Sequence, residues 1–166
     1  NRRASKFPSA LAAQFIENWS VVEHIANTAT GFSGTLFKAQ KPNAALGITE
    51  GELVLSFRST EFADDYVRDN RATNQLELSK FGFAFGQIAD MEDWYQSLKA
   101  SGSIGAGQAV AVTGYSLGGH LATAFNMLRA EKGDRGSAVA ETYTFNGAGV
   151  GELTGGNATT PATLSK

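Results

Sequence analysis

The chain has 166 residues, 42% of them hydrophobic and 18% charged, with a net charge of −2. That suits one domain around one buried core and excludes a disordered chain. No basic cluster offers a track for nucleic acid, and no apolar run is long enough to cross a bilayer. The absence of cysteine removes disulfides, thiolate metal sites and cysteine nucleophiles together.

The N-terminus, Asn1 to Lys6, is basic, but no signal-peptide core follows it. With no initiating methionine, the chain reads as a piece of something longer or as a processed product. Residues 1–30 are expected to form an N-terminal helical segment. Pro8 to Asn27 is its helix: Leu11, Phe15, Val22 and Ile25 fall near helical spacing, and Ser9 is a candidate cap. His24 is then a helix-surface residue.

From Gly31 the period changes. Phe32 to Lys38 and Glu52 to Phe57 read as two strands of a hairpin, joined by a loop that turns at Lys41-Pro42-Asn43. Ser59 to Asn70 carries Glu61, Asp64, Asp65 and Asp69 and is expected to leave the sheet end as loop or helix. Phe83 to Leu98 is helical, with Phe85, Ile88, Met91, Trp94 and Tyr95 near one face. Ser101 to Gly107 is a glycine-rich connection. Ala109 to Thr113 suits a strand buried on both faces. Gly114 to Gly119 is a sharp turn, and His120 to Ala130 is a helix. Glu131 to Ser137 is a polar loop, Ala138 to Phe145 another strand, and 153–166 a flexible tail. A strand, turn, helix and strand in this order form a parallel βαβ unit. The expected fold class is therefore α/β, one domain, with a largely parallel sheet, a hairpin on one side and flanking helices.

The segment Val112 to His120 contains Gly-x-Ser-x-Gly between a buried strand and a helix. That context is what a nucleophile elbow requires. The serine has to sit in a strained turn with its hydroxyl exposed above the sheet edge. Gly114 and Gly118 flank the turn where side chains would collide with strand and helix, and Gly119 lets the helix start close to the sheet. The helix N-terminus points free amides at the serine, so the Leu117 amide is placed to donate to a developing oxyanion. Ser116 is then the nucleophile. Two other readings remain: a tight turn without chemistry, and phosphate binding at a helix N-terminus. The loop lacks the Lys-Ser or Lys-Thr pair of a phosphate-binding P-loop. A second glycine-rich stretch, Asn146 to Glu152, resembles the start of a dinucleotide fingerprint. Glu152 stands where its third glycine belongs and no helical pattern follows, so it reads as a close-packed loop at the sheet end.

Phe57-Arg58-Ser59-Thr60, Tyr66 and Asp69, Gly114 to Gly119, and Thr144-Phe145-Asn146-Gly147 with Val150-Gly151 together resemble the successive landmarks of class 3 lipases. The resemblance runs from about residue 32 to residue 152. It implies an α/β-hydrolase fold and a carboxylester hydrolase acting on lipid esters, with no cofactor and no metal. It assigns Thr60 an oxyanion-hole amide and Asp69 a loop-holding role, with Ser59 standing where the family carries glycine. The region around Tyr66 matches the place of a lid. The wording Gly114 to Ala122 also resembles lipase-like domains of large secreted bacterial proteins with glycine-rich calcium-binding repeats, which implies a secreted or cell-surface protein.

A serine hydroxyl needs a base, usually held by a carboxylate. The chain has two histidines. His24 precedes the sheet, and His120 lies on the helix below the elbow, where a packing role is expected. In α/β hydrolases the order is serine, acid, histidine, and no histidine follows His120. The acid and base are therefore expected beyond Lys166, and association with that missing C-terminal segment is expected too. A small-ester esterase, a peptidase or a catalytically inactive lipase-like binding module remain alternatives.

Overall fold

The computed structural model describes residues 8–59 and 84–150, together with the backbone of 152–154 and 163–165. The segment that carries Thr60, Tyr66 and Asp69 lies outside the described residues. The architecture is α/β: five strands in one sheet, ordered β1-β2-β3-β4-β5, with flanking helices.

Helix α1 (Ser9–Asn18) starts after Pro8, which occupies the cap position without a side-chain cap bond, so Ser9 is the first helical residue and not the cap. It ends nine residues earlier than the apolar spacing suggests, and Trp19–Ile25 continues as strand β1. The physical reason lies in Trp19, Val21, Val22 and Ile25. Aromatic and β-branched side chains suit a pleated surface better than a helix interior, and here a partner strand is present. β1 pairs antiparallel with β2 (Gly34–Ala39), with a bulge between Val21 and Glu23. Phe15 fastens α1 to this corner, edge-on to Phe37 with ring centres 5.2 Å apart.

β2 pairs antiparallel with β3 (Leu53–Phe57), the hairpin that the sequence announces. β3 and β4 (Val110–Tyr115) are parallel, as are β4 and β5 (Val139–Phe145). The sheet is therefore mixed and not largely parallel. The segment expected to be helical supplies a third antiparallel strand, so half of the sheet's pairings are antiparallel.

Helices α2 (Phe85–Ala100) and α3 (Leu117–Glu131) share one core with one face of the sheet. Leu36, Leu55, Phe57, Val110 and Val112 meet Met91, Leu98, Leu121 and Phe125 there, each no more than 3% exposed. Fully burying side chains of this size stabilises by roughly 1.5–3 kcal/mol apiece before conformational entropy is charged. Buried Arg129 on α3 is paired with Glu92 and Asp134 and lies over the Tyr95 ring at 4.9 Å. A short helix α4 (Arg135–Ala138) leads into β5. On the opposite sheet face Tyr115, Tyr143 and Phe145 stay more than half exposed, beside a groove of about 590 Å³. In the C-terminal stretch expected to lack structure, β6 (Glu152–Thr154) and β7 (Thr163–Ser165) pair antiparallel. Among the described residues no helix is long and apolar enough to cross a membrane.

Candidate functional site

Ser116 stands between the end of β4 and the first turn of α3, at φ 53° and ψ −116°. A positive φ is costly for a residue with a Cβ, and this ψ lies outside the ordinary left-handed well as well. Ser116 is one of two non-glycine residues with positive φ among those described; the other is Asn146. The serine hydroxyl makes no cap bond to the helix, although serine at this position commonly makes one.

Three glycines make the turn sterically feasible. A Cβ on Gly114 would lie 2.1 Å from the Gly118 carbonyl oxygen. One on Gly118 would lie 2.2 Å from the Phe57 carbonyl oxygen and 3.1 Å from that of Arg58. One on Gly119 would lie 2.8 Å from the Gly147 Cα. Each glycine therefore faces backbone from a different element: α3 against β4, α3 against the end of β3, and α3 against the loop after β5. The end of β3 is thus held against the serine turn, three residues before Thr60.

Hydrogen bonds fix the turn from the same directions. The Ser116 amide donates to the Phe145 carbonyl at 2.9 Å. The Ser116 carbonyl accepts from the His120 amide at 3.0 Å and from the Ala148 amide at 3.2 Å. The Leu117 amide, at the first helical position, has no acceptor among the described residues, as expected of a helix N-terminus with its partial positive charge. The loop 145–149 was legible only as close-packed. Its carbonyl and amide bonds to Ser116 carry no side-chain signature that a sequence could display.

The two histidines lie in different settings. His24 is exposed on β1, with Nδ1 2.9 Å from Thr35 Oγ1. Register carries it through Thr35 and Ser56 to Thr113, three strand spacings or about 14 Å from β4. His120 is fully buried. The Ala84 amide donates to its Nε2 at 3.2 Å, and its Nδ1 lies 3.1 Å from the Gly149 carbonyl oxygen. Burial pushes its pKa below the ordinary value, against the pull of the Gly149 and Ala148 backbone. Neither ring is poised to take a proton from the Ser116 hydroxyl. Glu141 is exposed on β5 beside Tyr143, Asp134 is engaged with Arg129, and Glu131 is exposed at the end of α3. Among the described residues no three His, Asp or Glu side chains gather to hold a metal ion.

Comparison with known proteins gives no relative: no family model matches the chain, and searches of curated proteins and of solved structures find no match.

Proposed function

We propose that this chain belongs to an α/β-hydrolase domain and works as a serine carboxylester hydrolase, with Ser116 forming an acyl-enzyme. The observation that carries the proposal is the strained Ser116. A non-glycine residue in a sparsely populated backbone region costs on the order of 1–3 kcal/mol. Glycine at that position would relieve the strain, and the serine does not offset it with a cap bond. An observed outlier of this kind argues that the hydroxyl has a use.

The chemistry follows from the setting. Ser116 Oγ attacks the ester carbonyl carbon while its proton passes to a base. The carbonyl oxygen becomes an oxyanion and accepts from the Leu117 amide and, on this reading, from the Thr60 amide. Collapse expels the alcohol, which takes a proton, and water then hydrolyses the acyl-enzyme. His24 is about three strands away and His120 has both ring nitrogens engaged, so on this reading neither of these two histidines is the base. Lipid esters as substrates rest on the resemblance to class 3 lipases, and export to the cell surface or beyond rests on the resemblance of Gly114 to Ala122 to lipase-like domains of large secreted bacterial proteins. The same histidine positions also favour a second reading, a lipase-like module that binds without turnover.

A fluorophosphonate probe tests the proposal on the product of the complete reading frame. Covalent label on Ser116, absent in Ser116→Ala, is the expected result. Equal labelling of the two proteins excludes Ser116 as nucleophile, and absence of label from both favours the binding module.

A further inference from the structure

Among the described residues, His120 is the one buried titratable group near Ser116 that the proposed chemistry leaves idle. Its ring is 0% exposed, and each nitrogen meets a backbone group far away in sequence. An amide can only donate, so Nε2 meets Ala84 with a lone pair. A carbonyl oxygen can only accept, so Nδ1 meets Gly149 carrying the hydrogen. These two partners fix one neutral tautomer. A protonated ring would aim an N–H at the Ala84 N–H.

The loop that this ring holds is the loop that holds Ser116. The Phe145 carbonyl and the Ala148 amide bond the serine's backbone, and Gly147 lies against Gly119. Gly147 and Gly149 have no side chains of their own to anchor the loop, and both are exposed. On the other side, Ala84 is the cap position of α2 and lacks a side-chain cap. One imidazole therefore joins the start of α2 to the loop behind the serine turn. We propose that His120 is a positioning residue, which by donating from Nδ1 to Gly149 holds the 145–149 loop in the place that keeps Ser116 in its reactive backbone conformation. The link to reactivity rests on the hydrolase reading; the anchoring of the loop does not.

Two variants divide the ring's roles. In His120→Asn an amide nitrogen near the Nδ1 position still donates to Gly149, but nothing reaches Ala84. In His120→Gln an oxygen near the Nε2 position still accepts from Ala84, but the Gly149 anchor is lost. The protein is the complete reading-frame product, and the readouts are fluorophosphonate labelling rate, amide exchange at Ala148 and the ¹⁵N signals of the imidazole. The wild-type ring is expected to show Nδ1 protonated and Nε2 bare near neutral pH. His120→Gln is expected to label about a hundred-fold more slowly, the scale of a 1 Å misplacement, and to exchange Ala148 faster. His120→Asn is expected to stay close to wild type in both. A ring protonated on Nε2 overturns the proposal. So does Ala148 exchange that is unchanged in His120→Gln, or equally raised in both variants. If the wild type takes no label, the hydrolase reading fails, while exchange and tautomer still decide the anchoring.

Discussion

Gly118→Ala is the smallest change that tests whether α3 lies against the end of β3 as closely as the serine turn requires. The new Cβ would sit 2.2 Å from the Phe57 carbonyl oxygen, where real contacts stop near 3.0 Å, so the backbones have to part by about 0.8 Å. Neither side is a pliable side chain. The helix that has to move carries Leu117, Leu121 and Phe125, none more than 2% exposed, so relief at Gly118 loosens the core. Overpacking ordinarily costs about 1–3 kcal/mol, and backbone against backbone places this variant at the upper end, about 3 kcal/mol. For a chain of this size that lowers the melting temperature by about 6–12 °C. Gly136→Ala is the matched control: nothing lies within 4 Å of its added Cβ, it sits in helix α4, and a gain of about 0.4–1 kcal/mol is expected. Urea unfolding of the 166-residue chain, followed by far-ultraviolet circular dichroism, measures both. A Gly118→Ala midpoint equal to wild type would show that the close approach does not exist in solution.

Other substitutions probe the remaining contacts. Ser116→Gly is expected to stabilise by about 1 kcal/mol, because glycine adopts positive φ freely, while abolishing labelling; an unchanged or lower melting temperature refutes the strain. Arg129→Met leaves the Glu92 carboxylate with Lys132 and Gln96 but without the buried guanidinium, and a loss of about 3 kcal/mol, the low end for a broken buried pair, is expected from thermal unfolding; a change within experimental scatter would show that the Arg129 pairs contribute nothing. The pH dependence of melting follows from two groups. The His120 pKa is below its ordinary 6.5, so below about pH 6.5 the unfolded chain binds a proton that the folded chain refuses. Stability then falls with pH until the folded value is passed, and His120→Asn should flatten that part of the curve. Burial raises the Glu92 pKa, but hydrogen bonds from Lys132, Arg129 and Gln96 and the Arg129 charge outweigh it, leaving it below 4.5. Its contribution is present above that value and lost as pH falls through the folded one; an acid limb unchanged in Glu92→Gln would refute this.

The parts of the fold legible in the sequence are those whose signal is local. The apolar run Val110 to Val112, the glycine-spaced turn and the alanine- and leucine-rich stretch after it each constrain the backbone by themselves. So do the hairpin strands Gly34–Ala39 and Leu53–Phe57. Trp19–Ile25 was not legible. Its apolar residues satisfy a helical spacing and a strand composition equally, and pairing with β2 decides between them. The mixed character of the sheet follows from that one tertiary choice. The serine and its glycines were legible as a pattern. The groups that hold them, Phe57, Phe145, Ala148, and Ala84 and Gly149 through His120, act through backbone atoms that any residue carries.

That distribution explains how a strained serine persists. The Ser116 backbone makes three hydrogen bonds, one from its amide and two to its carbonyl. At about 0.5–1.5 kcal/mol net each, together they are of the same size as a strain of about 1–3 kcal/mol. Only one of the three, the bond from His120, comes from the helix that follows the serine. The other two come from the end of β5 and the loop beyond it. The conformation is thus imposed by the tertiary fold and not by the turn sequence, and a short peptide carrying Gly114 to Gly119 alone should not adopt it. The pattern Gly-x-Ser-x-Gly reports where the chain has room for such a turn. What keeps the serine strained is the packing of β3 against Gly118 and of the 145–149 loop against Gly119. The chemistry proposed for Ser116 accordingly depends on side chains and backbone groups more than twenty residues away on either side.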